Sequence, residues 1–160
     1  GGGDGAVRMW KREGKPSGQP FKGYQGIVNS VAISTNGQTI VSGSSDGTVM
    51  MWNSEGRQIG QPFKGHQGLV YTVAISTNGQ TIVSGGMDGT VRIWNGEGQP
   101  IGQPFQGHQG WVDAVAISTN SRTIVSGSSD GTVMMWNHQG QQIGQPFKGH
   151  AGGVRSVAIS

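Results

Sequence analysis

The sequence predicts an all-β protein, a β-propeller built of four-stranded antiparallel blades, on three observations. Aromatic residues recur at one fixed spacing, β-rich runs alternate with glycine-rich turns, and no segment carries helical periodicity. Trp10, Trp52, Trp94 and Trp136 share a period of about 42 residues with Phe21, Phe63, Phe105 and Phe147, a length suited to one blade. The 31 glycines among 160 residues alone would suit disorder, but valine, isoleucine and tryptophan recur between them in short ordered runs, so they are read as turns.

The repeat from His66 to Gly107 shows each element in order. VYTVAIS is a first strand, with Val70, Ala74 and Ser76 expected on one face and Tyr71, Val73 and Ile75 on the other, and Thr77-Asn78-Gly79 turns the chain. QTIVSG is a second strand. Asp88-Gly89, tolerant of positive φ, then makes a tight hairpin into the third strand, TVRIWN. After the turn Gly96-Glu97-Gly98, QPIGQPF is expected as a fourth strand at the sheet edge, because Pro104 has no amide hydrogen to give a ladder. Such small sheets bury their faces only by stacking on equivalents around an axis.

The Gly-His pairs at His66, His108 and His150, the SGSSDGTV-like centres and the tryptophan closing each third strand resemble the WD-repeat propeller family along the whole chain. The sequence departs from the family's Trp-Asp pair, with Trp52-Asn53, Trp94-Asn95, Trp136-Asn137 and Trp10-Lys11. The resemblance implies a buried hydrogen-bond network in each blade, linking histidine, second-strand serine, hairpin aspartate and tryptophan. The sets are His66, Ser84, Asp88 and Trp94, then His108, Ser126, Asp130 and Trp136. His150 would need Asp4 and Trp10, expected from a second chain, while Asp46 and Trp52 face Tyr24 in place of histidine, so that network is expected to be incomplete. The resemblance also puts three non-repeating positions on the top face, where partners dock. These are Ile27, Leu69, Trp111 and Gly153; Asn29, Tyr71, Asp113 and Arg155; and Gly3, Ser45, Met87 and Ser129. Trp111 and Tyr71 are the best anchors, and Asp113 and Arg155 suit orientation.

Three blades are expected at about residues 24–65, 66–107 and 108–149. A fourth combines 150–160, a first strand, with 1–23, so the chain holds about four blades in one propeller segment. This shared blade lacks the counterpart of Thr77 to Ser84, most of a second strand. Exposed edges favour self-association, and the preferred expectation is a homodimer closing an eight-bladed ring. The absence of a starting methionine suggests a processed piece or an engineered excerpt of a longer array.

Several function classes are disfavoured. Serine, histidine and aspartate recur once per blade, whereas a nucleophile needs a single cleft with an oxyanion site, so no enzyme is expected. There is no cysteine, the repeat histidines are far apart in sequence, His138 stands alone, and the Asp-Gly-Thr turns lack a calcium loop's alternating carboxylates, so neither metal nor other cofactor is expected. No helix follows the glycine clusters to receive a phosphate. The net charge of +3 comes from scattered residues and does not favour nucleic acid; no apolar run is long enough to span a bilayer. Met50-Met51 and Met134-Met135 read as adaptable packing, and Lys22, Lys64 and Lys148 as solvated surface. The compartment stays open, with the cytoplasm favoured. The expected function is a non-catalytic, self-assembling protein-interaction scaffold; the alternative is a structural or engineered propeller fragment with no physiological ligand.

Overall fold

A computed structural model describes residues 2–160, all of them strand, turn or irregular structure. After β1 (Ala6–Val7) and β2 (Phe21–Lys22), which pair with each other, come three larger antiparallel sheets. The first is β3 (Val28–Ile33), β4 (Thr39–Ser44), β5 (Thr48–Asn53) and β6 (Gln58–Lys64) in sequential order. The second is β7 (Val70–Ile75), β8 (Thr81–Gly86) and β9 (Val91–Asn95). The third is β10 (Val112–Ile117), β11 (Thr123–Ser128), β12 (Thr132–Asn137) and β13 (Phe147–Lys148). These sheets are the blades, each a meander whose tight turns suit its glycines: Gly47, Gly89 and Gly131 follow the hairpin aspartates with φ of 85°, 72° and 83°.

The fourth strand does not form uniformly. It runs for seven residues in β6, but residues 99–105 make only the isolated bridges Trp94 to Pro100 and Val91 to Phe105, and β13 has two residues. Pro62 stands within β6 at the same repeat position as Pro104 and Pro146, so the proline does not decide the difference; each outer segment is bonded on one side only, with no further strand to hold it. Residues 150–160 were expected as a first strand; they form no ladder among the described residues, although Val154 is buried against the third sheet and its amide donates to the Ser128 carbonyl at 2.8 Å.

Three apolar clusters lie between successive sheets. Val7 and Phe21 pack with Val28, Ile40, Met50 and Trp52; Val41 and Phe63 with Val70, Val73, Ile82 and Trp94; Val83 and Phe105 with Val112, Val115, Ile124 and Trp136. The glycine of each second strand admits the next sheet: a Cβ on Gly43 or Gly85 would collide with Val70 or Val112. The first strand departs from the expected alternation. Pairing jumps between Val70 and Thr72, leaving Tyr71 as the extra residue of a β-bulge. The bulge changes the phase, so Val70 joins Val73 and Ile75 against the preceding sheet, while Ala74 packs toward the following one. The same shift occurs at Asn29 and Asp113.

Candidate functional site

The site has two layers, a buried brace inside each blade and an exposed rim at its hairpin end. Between Gly65 and the first strand, His66 is carried onto the second strand, and Asp88 begins the hairpin that returns beside it. His66 Nδ1 lies 3.0 and 3.1 Å from the two Asp88 oxygens, and Nε2 lies 2.8 Å from Ser84 Oγ. The Trp94 indole donates to the same Oγ at 2.8 Å. Nδ1–H therefore faces the carboxylate, while the Ser84 hydroxyl donates to Nε2 and accepts from Trp94. Asp88 also accepts from the Gln67 amide at 2.9 Å and the Thr90 hydroxyl at 2.8 Å. Burial works to raise its pKa, but His66, the Gln67 amide and Thr90 together hold it well below the usual carboxylate range.

The blade of His108 builds the brace with one change. Nε2 lies 2.7 Å from Ser126 Oγ, and the Trp136 indole donates to that oxygen at 2.8 Å. Nδ1 donates instead to Thr132 Oγ1 at 2.9 Å, and Thr132 donates to Asp130 at 2.6 Å, so the threonine relays the contact; Asp130 itself is 3.5 Å from the ring. Burial lowers the His108 pKa against the opposing pull of Asp130. Although burial opposes it, hydrogen bonds from Thr132 and the Gln109 amide hold the Asp130 carboxyl down at about 2.

In the blade of Tyr24 the phenol takes over. Its oxygen lies 2.7 Å from Ser42 Oγ, donates to the Ser42 carbonyl at 2.5 Å and accepts from the Met50 amide at 3.0 Å. The Trp52 indole still donates to Ser42 Oγ at 2.8 Å, but Asp46 has no ring partner and holds Gln25 N and Thr48. The expectation of an incomplete network needs refining: serine and tryptophan are fully engaged, and only the carboxylate is left out.

The terminal set is not brought together within the chain. His150 and Trp10 are exposed, and Asp4 is instead gripped by both terminal nitrogens of Arg8, which holds its carboxyl at about 2. Asn53, Asn95 and Asn137 have a clear task where the family pattern has aspartate: each side-chain oxygen accepts two amides of the following turn, at 2.9–3.0 Å.

A serine, histidine and aspartate in hydrogen-bond sequence form a hydrolase-like chain, but Ser42, Ser84 and Ser126 are completely buried and their oxygens already accept from tryptophan. No substrate carbonyl can approach them in this arrangement. Among the described residues no three His, Asp or Glu side chains are grouped to share a metal ion, and no helix is long and apolar enough to cross a membrane.

The rim is set by backbone bonds between the start of each first strand and the hairpin. Ser45 N bonds to the Ile27 carbonyl, Met87 N to Leu69 and Ser129 N to Trp111, at 2.8–2.9 Å. Ser45 and Ser129 return the bond, their hydroxyls accepting Ile27 N and Trp111 N at 2.8 Å, while Met87 has no oxygen to offer Leu69. Ile27, Met87 and Trp111 project outward, 50%, 43% and 47% exposed, and Leu69 is half-buried.

The bulged residues reach sideways to the next blade, a role that sequence reading missed. Asn29 Nδ2 donates to the Val70 carbonyl at 2.9 Å; the rings of Tyr71 and Trp111 sit 5.8 Å apart at 41°. Partial burial raises the Asp113 pKa, and the positive charge of Arg155 opposes that shift. Also missed were Ser30 and Thr72, whose hydroxyls accept Val73 N and Val115 N across blade junctions at 3.1 and 3.2 Å. A polar residue inside an apolar strand at the same place in successive repeats was the available signal.

Comparison with known proteins agrees with this architecture. The sequence model of the family described as "WD domain, G-beta repeat" matches residues 14–53, 56–95 and 98–137. Each match runs from the outer segment of one blade through the third strand of the next, offset from the sheets themselves. No curated protein matches the chain. With three consecutive repeats matched over most of its length, and with sheets that stack at those same intervals, the chain belongs to the WD-repeat family.

Proposed function

We propose that this chain is a non-catalytic scaffold that binds an apolar segment of a protein or peptide on its hairpin-end rim. WD repeats generally mediate protein–protein contacts, and the observation that supports this particular surface is the placement of the non-repeating residues. Ile27, Met87 and Trp111 are exposed above blades whose repeated residues are buried. The Tyr71–Trp111 pair offers a preset aromatic surface, and aromatic anchors lose little freedom on binding. Asn29 is committed to the neighbouring blade through the Val70 carbonyl, while Asp113 and the exposed Arg155 would orient a partner at the margin.

Peptides selected from a random library on the wild-type chain test this reading. The double substitution Tyr71→Ala, Trp111→Ala should weaken them at least about tenfold while the circular dichroism spectrum is kept. Undiminished binding would leave the alternative of a structural propeller segment without a ligand at this rim.

The proposal includes self-assembly, with two copies closing an eight-bladed ring. Its support is the pair of outer sheet faces, each carrying a large exposed aromatic residue, Trp10 at 62% and Phe147 at 56%. Light scattering should give twice the chain mass.

A further inference from the structure

Each of the three blade junctions inside the chain is closed by the same contact. Phe21 packs on Trp52, Phe63 on Trp94 and Phe105 on Trp136, with ring centroids 5.7, 5.6 and 5.5 Å apart and planes inclined at 36–37°. All six residues are buried. In every case the phenylalanine comes from the outer segment of one blade and the tryptophan from the third strand of the next. Two glycines make room for the pair. Gly56, Gly98 and Gly140 lie against the phenylalanine rings so closely that a Cβ would overlap them. Gly23, Gly65 and Gly107 lie under the tryptophans, where a Cβ would stand 3.0, 2.9 and 2.9 Å from Cη2.

The two outer faces of the stack hold the separated halves of a fourth such contact. On one are Phe147 and Gly149; on the other are Trp10 and Gly14, the counterparts of the partners they would meet. A Cβ on Gly14 or Gly149 would meet nothing within 4 Å. Arg8, beside Trp10, also has a precedent at an internal junction: Arg92 lies over Gly65 together with Trp94. Shape, residue type and order therefore match from one outer face to the other, and the match is head to tail.

We propose that Phe147 and Gly149 of one copy receive Trp10 of a second copy, whose Gly14 accommodates the phenylalanine ring, repeating the internal junction between chains. The inference rests on the self-assembly reading and names its interface. Because the contact is heterologous, one copy supplies the phenylalanine face and the other the tryptophan face, and two copies close only if both junctions form. The third strand of the incoming copy also carries Asp4 to the blade that holds His150 in the first.

Sedimentation velocity across a concentration series tests it with four variants of the full chain. Trp10→Ala and Phe147→Ala should each raise the dissociation constant at least about tenfold, and the double variant less than the product of the two, as residues sharing one contact should. Gly149→Ala, which has free space in the single chain, should weaken association to a similar degree with an unchanged melting temperature at concentrations where wild type is monomeric. A wild-type chain that associates while the Trp10, Phe147 and Gly149 variants associate equally well overturns this interface and leaves self-assembly standing. A wild-type chain that stays monomeric overturns both.

Discussion

The blades of His66 and Tyr24 solve one problem with different groups. Both must satisfy a buried serine and a buried tryptophan indole in the middle of a sheet. The imidazole does so while also engaging the hairpin carboxylate, so Asp88, Ser84 and Trp94 form one connected set. The phenol reaches deeper, holding both the Ser42 hydroxyl and its carbonyl, and leaves Asp46 to the local turn. The repeated serine and tryptophan are thus the common core of the brace, and the link to the hairpin is an addition that the histidine makes possible. Connection should increase the cost of removing one member, because more partners are left unsatisfied in a dry interior.

The largest test of that difference is the central serine. Ser84→Ala strands both the Trp94 indole and His66 Nε2 and should cost about 3 kcal/mol, whereas Ser42→Ala strands the Trp52 indole while Tyr24 keeps the carbonyl, for about 1–2 kcal/mol. Urea unfolding measures both, and equal losses would break the comparison. Next is the carboxylate: Asp88→Asn should lower stability by about 1–2 kcal/mol and Asp46→Asn by less than about 1 kcal/mol, read from melting curves at matched pH.

Acid titration sharpens the contrast by location. The Asp88 and Asp130 carboxyls have folded pKa values below their ordinary 3.8, so their stabilisation is present above about pH 4 and is lost as the pH falls toward 2. His108 is also lowered, from 6.5, and its folded form favours the neutral ring; its contribution is present above pH 6.5 and declines as the pH falls below it. Hydrogen exchange should show the blade of His108 loosening first on acidification, and His108→Gln should remove that early phase. The Tyr24 phenol is pushed well above its ordinary 10, chiefly by burial, and takes no part in this range. The smallest effect expected is at the Tyr71–Trp111 contact, whose double-mutant cycle should give a coupling of about 0.5 kcal/mol in thermal stability.

Much of the fold was legible because the repeat states it several times. The spacing of tryptophan and phenylalanine located the blades, the Asp-Gly pairs located the hairpins, and the proline-bearing outer segment was read as an edge. The reading of strand faces failed at Tyr71, since strict alternation assumes one residue per pairing step and a bulge spends two. The outer segment failed for another reason: QPIGQPF and RQIGQPF are nearly the same letters, yet only the latter forms a regular strand. An edge strand bonded on one side has little to hold it, and small differences decide its extent. At the rim, the sequence distinguished the non-repeating residues but did not reveal that Asn29 and Tyr71 lean on the neighbouring blade, because the bulge that turns them sideways has no letter of its own.

By itself, the sequence determined the period and the strand and turn order, which depend on local spacing and backbone preference. Only the tertiary structure decided which faces meet, that a phenol can replace an imidazole by changing its partner, and that Phe147 and Trp10 lie bare while their six counterparts are buried. Burial is a property of neighbours. A residue's letter fixes what it would gain from contact, and the packed sheets fix whether the contact is there.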